Sequence, residues 1–334
     1  MKTLLYGQLR TLMPPRSGLE YFIQPELKAK VVAPEQTTWD VSTLRAAGCA
    51  LEPSVIAVPD GVHREIIEIP RKTGVDPLEL RVFYPAGATP TPPGNIPTPP
   101  GTTPTPPIMV APHGGGYVAG RARFDDARNA DLALRLGAVV ISPDYRLAPE
   151  HPFPAGREDI VRTLAWASES HPCSTLWGFG DSAGSGLLYS GCVEYLRRGG
   201  RPVSKAVFLE PCLDPTLASS SMATFAEGPV WTRRAAEHAW AAYLDGQTPE
   251  AVMPSVARVA QWLGEKGVSL PTSYVVVNPV DPLRDEGIRF ACDLVDAGFE
   301  CELHMWAGTF HGSLGYPVES WREMMRGIER FFNK

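Results

Sequence analysis

From Ile108 onward the chain alternates short apolar, β-branched runs with helical stripes, and this alternation limits the possible folds more than any other feature. Ile108–Ala111, Ala138–Ser142, Leu176–Gly178, Ala206–Glu210, Tyr274–Val277 and Cys301–Met305 read as strands. Between them lie the helical candidates Asp125–Leu136, the stripe Ile160, Val161, Leu164 and Ala167, then Ala183–Arg198 and Arg284–Ala297, with Glu319–Phe332 closing the chain. Gly298 sits where a left-handed cap would stop the fourth of these helices. Parallel neighbours need long crossovers, and helices of this length supply them. The expected class is therefore α/β, with a mostly parallel central sheet and helices on both faces. Upstream, Leu78, Leu80 and Val82 alternate with Glu79 and Arg81, which predicts one more, half-buried strand over Leu78–Tyr84.

Three stretches interrupt this rhythm. Residues 1–60 contain helical pieces and prolines without strand alternation. Residues 88–107 read ATPTPPGNIPTPPGTTPTPP, in which Pro-Thr-Pro-Pro-Gly occurs twice. Proline removes amide donors and fixes φ, so this segment is expected to be a solvated loop inserted between strands, not a domain boundary. Residues 214–270 are long for a crossover and include a helical run, Thr232–Leu244. The resulting division is a core of residues 61–213 and 271–334, with 1–60 and 214–270 as additions to it.

Composition narrows the function. The 37 acidic residues outnumber the 31 basic ones, giving a formal charge of −6, and no segment supplies the clustered Lys/Arg surface that nucleic acid requires. No apolar run approaches the roughly 18 residues needed to span a bilayer. Met1–Leu12 is broken by Gly7, Gln8 and Arg10, unlike a secretory signal, so a cytoplasmic location is expected. Cys49, Cys173, Cys192, Cys212, Cys292 and Cys301 are widely spread without metal-ligand spacing. They are expected to be free, mostly buried thiols, with no metal and no cofactor implied.

The chemistry concentrates in four places. Gly180-Asp181-Ser182-Ala183-Gly184 fits Gly-x-Ser-x-Gly and lies between a strand and a helix, where flanking glycines relieve the crowding of a sharp turn that exposes the serine. His113-Gly114-Gly115-Gly116 follows the strand Ile108–Ala111, and a glycine run lets backbone N–H groups approach a substrate oxygen. A nucleophilic serine also needs a base and an acid to orient the base. In chain order the acid and then the base follow the serine. Asp281 follows the strand Tyr274–Val277, and His311 lies in the loop after Cys301–Met305, so both leave the sheet at the edge where Ser182 does. His304, the other histidine beyond Asp281, sits within the strand, which makes His311 the base. Asp281 is preferred as the acid, with Asp285, Glu210 and Asp214 as alternatives.

Together HGGG at 113–116, DYRLAPEHPFPA at 144–155, GDSAG at 180–184, DPLRDEG at 281–287 and FHG at 310–312 resemble the hormone-sensitive-lipase-like family of α/β-hydrolases. The resemblance covers about residues 75–334 apart from the Pro/Thr insertion. It implies an α/β-hydrolase fold, Ser182 as nucleophile, Asp281 as acid and His311 as base. It also implies Gly114, Gly115 and Ala183 as oxyanion-hole donors, and a helical cap formed by the amino-terminal segment and residues 214–270. Two positions depart from the family pattern: Ser185-Gly186 replaces Gly-Asn after the elbow, and Tyr117 stands where Trp or Phe is usual.

The leading expectation is a serine carboxylesterase that cleaves short-to-medium or compact apolar acyl esters through an acyl-enzyme. A small-molecule ester is then its partner, and Tyr117, Phe225 and Trp231 are candidate substrate contacts. An amidase, a deformylase or a natural-product tailoring hydrolase could use the same triad. A non-catalytic ligand receptor would have no need of all three triad residues.

Overall fold

The apolar runs pair into an eight-stranded sheet, seen in a computed structural model that describes residues 21–30, 41–50, 59–71, 75–88 and 105–334. The strands are β1 (Val62–Ile69), β2 (Leu78–Pro85), β3 (Ile108–Val110), β4 (Val139–Pro143), β5 (Leu176–Asp181), β6 (Lys205–Leu209), β7 (Thr272–Val277) and β8 (Cys301–Met305). Their spatial order is β1-β2-β4-β3-β5-β6-β7-β8. The β1–β2 and β2–β4 pairs are antiparallel and the remaining pairs are parallel. Helices Ala155–Ser170, Ala183–Arg197 and Arg284–Asp296 contribute to one apolar layer. Asp126–Leu136 and Glu319–Asn333 contribute to the other. The expected α/β-hydrolase architecture is present, and the carboxyl ends of β5, β6, β7 and β8 meet along one edge.

Strand β1 carries no clean period-two signal and was not anticipated. Its register on β2, from Val62 opposite Pro85 to Ile69 opposite Leu78, comes from pairing with a strong partner. Strand β2 was expected to be half-buried, yet all its residues except Glu79 are buried. The cause is helix Asp126–Leu136, which covers the second face: Phe83 packs in its apolar layer, and the Arg81 guanidinium reaches Asp126 through Nε to Oδ1 at 2.7 Å and Nη2 to Oδ2 at 2.6 Å. Bidentate pairing of this kind offsets the desolvation of a buried charge, so a polar position can face inward. The five described thiols are free, as expected, but only Cys192 and Cys212 are buried, because Cys173 and Cys292 fall on exposed positions and Cys301 is intermediate. Residues 89–104, most of the Pro/Thr insertion, and much of 1–60 lie outside the described residues.

Helices Ser220–Thr224, Arg233–Leu244, Pro249–Val252 and Val256–Lys266 fill the interval between β6 and β7 and build a helical cap. Arg233–Leu244 begins where Thr232 Oγ1 accepts the Ala235 N–H at 3.0 Å, the usual way to satisfy an orphan amide at a helix start. Its inner face presents Trp240 and Tyr243, and Tyr117 packs against both, stacked on Tyr243 at 4.3 Å between ring centroids. The amino-terminal helix Val41–Ala50 is tied to the same region. Arg45 donates to the carbonyls of Val118 at 2.8 Å and Ala148 at 3.0 Å and pairs with Glu150 at 2.6 Å.

The two departures from the family pattern are linked in space. The Tyr117 hydroxyl donates to the Cys212 carbonyl at 2.6 Å, and a Cβ at position 186 would run into that hydroxyl and stand 2.6 Å from the same carbonyl oxygen. Glycine at 186 therefore makes room for tyrosine at 117. Gly186→Ala is expected to lower stability by about 1–3 kcal/mol, the usual scale of overpacking. Adding Tyr117→Phe should restore part of that loss in thermal melting. A Gly186→Ala protein that melts like the wild type would contradict the link.

Candidate active site

Strand β5 runs straight into helix Ala183–Arg197, and the turn between them is Ser182 at φ 52° and ψ −117°, a conformation rarely tolerated outside glycine. The flanking glycines are sterically required. A Cβ on Gly180 would collide with the Ser185 backbone, and one on Gly184 would collide with the carbonyls of Pro112 and His113. Two bonds to the end of β6 brace the elbow: Ser182 N–H donates to Leu209 O at 2.9 Å, and Ser182 O accepts Cys212 N–H at 3.2 Å.

The base and acid arrive from the ends of the next two strands. The loops after β7 and β8 are joined by a parallel bridge, Val280 to Phe310, which fixes Asp281 against His311. His311 Nε2 lies 3.1 Å from Ser182 Oγ, and His311 Nδ1 lies 3.0 Å from Asp281 Oδ2. An ionised carboxylate can only accept, so Nδ1 carries a proton toward Asp281 and Nε2 is left to accept from Ser182. Asp281 Oδ1 is itself held by the Leu283 N–H at 2.8 Å. All three groups are buried, with Ser182 and His311 each 6% exposed and Asp281 1%. The structure thus joins Ser182, His311 and Asp281 in one hydrogen-bonded chain.

The alternative acids are occupied elsewhere, with one exception. Asp285 accepts the Ser221 N–H at 2.9 Å and pairs with Arg284 at 2.9 Å, so it ties the cap to the acid loop. Asp214 accepts from Thr216 N–H at 2.9 Å in a local turn. Asp181, the residue before the nucleophile, is paired with the half-buried Arg128 at 2.7 Å. Glu210 is the exception, with Oε1 3.8 Å from His311 Nε2. Burial pulls the His311 pKa down, but the nearby charges of Glu210, Asp281 and Asp181 outweigh it and hold the imidazole above the ordinary histidine range. Burial pushes the Glu210 carboxyl up from its ordinary range, and positive charge on His311 pulls it back toward the ionised form, so the two groups charge together. Glu210, Asp281 and His311 each offer a ligand atom within 4.8 Å of one another. Those atoms are already committed: Asp281 to His311 and Leu283, and Glu210 to Gly312 N–H and Asn278 Nδ2.

The glycine loop lies against the nucleophile. A Cβ on Gly114 would stand 3.5 Å from Ser182 Cβ. Gly115 has φ 124° and Gly116 φ 60°, and a Cβ on Gly116 would press on the ring of Trp231 at 2.5 Å. Tyr145 supports the loop by stacking on His113 at 4.1 Å and donating to the His113 carbonyl at 2.9 Å. Ala183 follows Ser182 as the first residue of its helix, so its N–H belongs to the helix N-terminus.

The three candidate substrate contacts diverge. Trp231 stays beside the site, its ring 6.1 Å from that of His311. Tyr117 is 2% exposed and spends its hydroxyl on Cys212, so it serves as an anchor for the cap. Phe225 packs with Leu27, Val280 and Phe310 and edge-on to Tyr21 at 4.8 Å, fastening the amino-terminal segment to the acid and base loops.

Residues 109–315 match the protein family described as the alpha/beta hydrolase fold. The chain belongs to that family. Among its relatives, Esterase LipI of Mycobacterium tuberculosis is 32% identical over 217 residues, covering 63% of this chain and 66% of LipI. Carboxylic ester hydrolase LipN of the same organism is 35% identical over 269 residues, covering 76% of this chain and 65% of LipN. The chain thus spans about two thirds of the length of these relatives. A solved structure titled Bacterial Heroin Esterase superposes with a TM-score of 0.74 at 28% identity, covering 92% of this chain and 96% of that one. The chain, with its α/β-hydrolase fold, is related to esterase and lipase families.

One neighbour of the triad escaped the sequence reading, and a second, Glu210, was read only as a rival acid. Asn278 bridges Glu210 and Asp281, donating at 2.5 Å and 3.4 Å, but a lone asparagine after a strand carries no recognisable signal. The contact of Glu210 with the His311 turn is set by β6 lying beside β7, a pairing between segments far apart in sequence.

Proposed function

We propose that this hydrolase is a serine carboxylesterase of the hormone-sensitive-lipase-like branch, acting on compact apolar esters. The observation that carries the reading is the unbroken chain from Ser182 Oγ through His311 to Asp281 at 3.1 and 3.0 Å. Ser182 attacks the ester carbonyl while His311 Nε2 takes its proton, and Asp281 stabilises the imidazolium that forms. The Gly114, Gly115 and Ala183 N–H groups receive the developing oxyanion, a role supported by the closeness of Gly114 to Ser182 and by the helix N-terminus at Ala183. His311 then protonates the departing alcohol, and water repeats the cycle on the acyl-enzyme. The names of LipI and LipN support ester hydrolysis as the reaction. The free state of the five described cysteines supports a reducing, cytoplasmic setting. No helix among the described residues is long and apolar enough to cross a membrane.

Trp231 limits the substrate. Its ring covers Gly116 and faces His311, leaving a rigid apolar wall beside the nucleophile. Each acyl methylene that fits should contribute up to about 0.8 kcal/mol until the wall is met. A nitrophenyl ester series is expected to peak in kcat/KM at short to medium acyl length and then fall. A kcat/KM that rises steadily to long-chain esters, or that requires an anionic acyl group, would contradict an apolar wall at Trp231.

A further inference from the structure

Glu210 is built as a functional residue, not as core filling. It follows β6 at φ 38°, in the left-handed region that residues other than glycine rarely adopt, and is 4% exposed. A buried carboxylate is costly unless its lone pairs are satisfied. Here both oxygens accept the Gly312 N–H, at 2.8 and 2.9 Å, and Oε2 also accepts Asn278 Nδ2 at 2.5 Å. The remaining neighbour is His311 Nε2 at 3.8 Å from Oε1, too far for a hydrogen bond and close enough for strong charge interaction in a buried site. Ser182 therefore keeps Nε2 as its hydrogen-bond partner while Glu210 faces the same edge of the ring. Asp281 occupies the opposite edge at Nδ1.

We propose that Glu210 is a positioning residue for His311: it fixes the turn at 311–312 through Gly312 N–H and supplies a second carboxylate on the Nε2 side of the imidazole. The role rests on the esterase reading and deepens it. When Ser182 passes its proton to Nε2, the imidazolium forms between two acids, so the transition state of acyl transfer gains charge stabilisation that the neutral ring does not need. The charged groups facing His311 are Glu210 after β6, Asp281 after β7 and Asp181 at the end of β5, the last of these neutralised in part by Arg128.

Glu210→Gln separates charge from shape. The amide can still accept the Gly312 N–H, and Asn278 can turn over, since its buried Oδ1 has no partner and could accept from the new amide. Measured against a nitrophenyl ester, the plateau of kcat/KM is expected to fall about 10–100-fold, with kcat carrying most of the loss. Removing an anion beside a base favours the neutral base, so the acid limb of the pH profile should move to lower pH. Glu210→Asp, which keeps the charge, should leave the limb at its wild-type position. Fluorophosphonate labelling of Ser182 in Glu210→Gln reports whether the esterase site itself is intact, which separates failure of this role from failure of the parent reading. A folded Glu210→Gln enzyme with an unmoved limb and kcat/KM within about threefold of wild type would overturn the proposal. If the variants do not fold, NMR titration of His311 in the wild-type protein decides. Deprotonation above the ordinary histidine range supports the second acid, and titration within that range overturns it.

Discussion

Ser182→Ala is expected to lower ester turnover by roughly 10⁴-fold or more while leaving the fold in place. The side chain at 182 makes one contact that matters to the chemistry, the 3.1 Å approach to His311 Nε2. The elbow is held by backbone bonds to Leu209 and Cys212 and by the crowding at Gly180 and Gly184, none of which alanine disturbs. Whatever rate remains would come from the oxyanion loop and binding alone. Turnover of a nitrophenyl ester beside a thermal melt checks this. A variant that keeps more than a few per cent of wild-type activity would remove Ser182 from the mechanism.

The second large effect concerns the acid. Asp281→Asn is expected to reduce kcat by about 10³–10⁴-fold, because an amide at 281 can present a donor to Nδ1 and leave His311 in the wrong tautomer. Asp285→Asn should act differently. Its carboxylate holds the Ser221 N–H and Arg284, so the loss should appear in cap stability, with kcat changed by no more than several-fold. The pair of variants, compared by kcat and by melting temperature, distinguishes the roles. Equal or reversed effects on kcat would move the acid away from Asp281.

The site was legible in the sequence to the extent that its chemistry is local. Gly180–Gly184 declares a strand-to-helix turn because steric necessity at the elbow forces glycine on both sides of Ser182. Asp281 and His311 could be placed because each follows a recognisable strand, and parallel strands deliver their carboxyl ends to one edge. What depends on neighbours distant along the chain was not legible. Glu210 could be weighed only as a rival acid, since nothing before β6 is paired with β7 shows that it faces Nε2 and grips Gly312. Tyr117 looked like a substrate contact because it follows the glycine loop, and only the cap helix carrying Trp240 and Tyr243 shows it to be an anchor. Strand β1 was missed for the same reason, as its order comes from pairing with β2 more than from its own pattern.

Covalent labelling with a fluorophosphonate, followed by peptide mapping, tests the central claim most directly. The reagent reports a serine whose proton is being removed by a base and whose oxyanion is held in place, both of which the account assigns to one site. The expected result is a single adduct on Ser182 in the wild-type protein, abolished in Ser182→Ala and strongly slowed when His311 is replaced by alanine. An unlabelled wild-type protein, or an adduct that forms on another serine and survives Ser182→Ala, would contradict it.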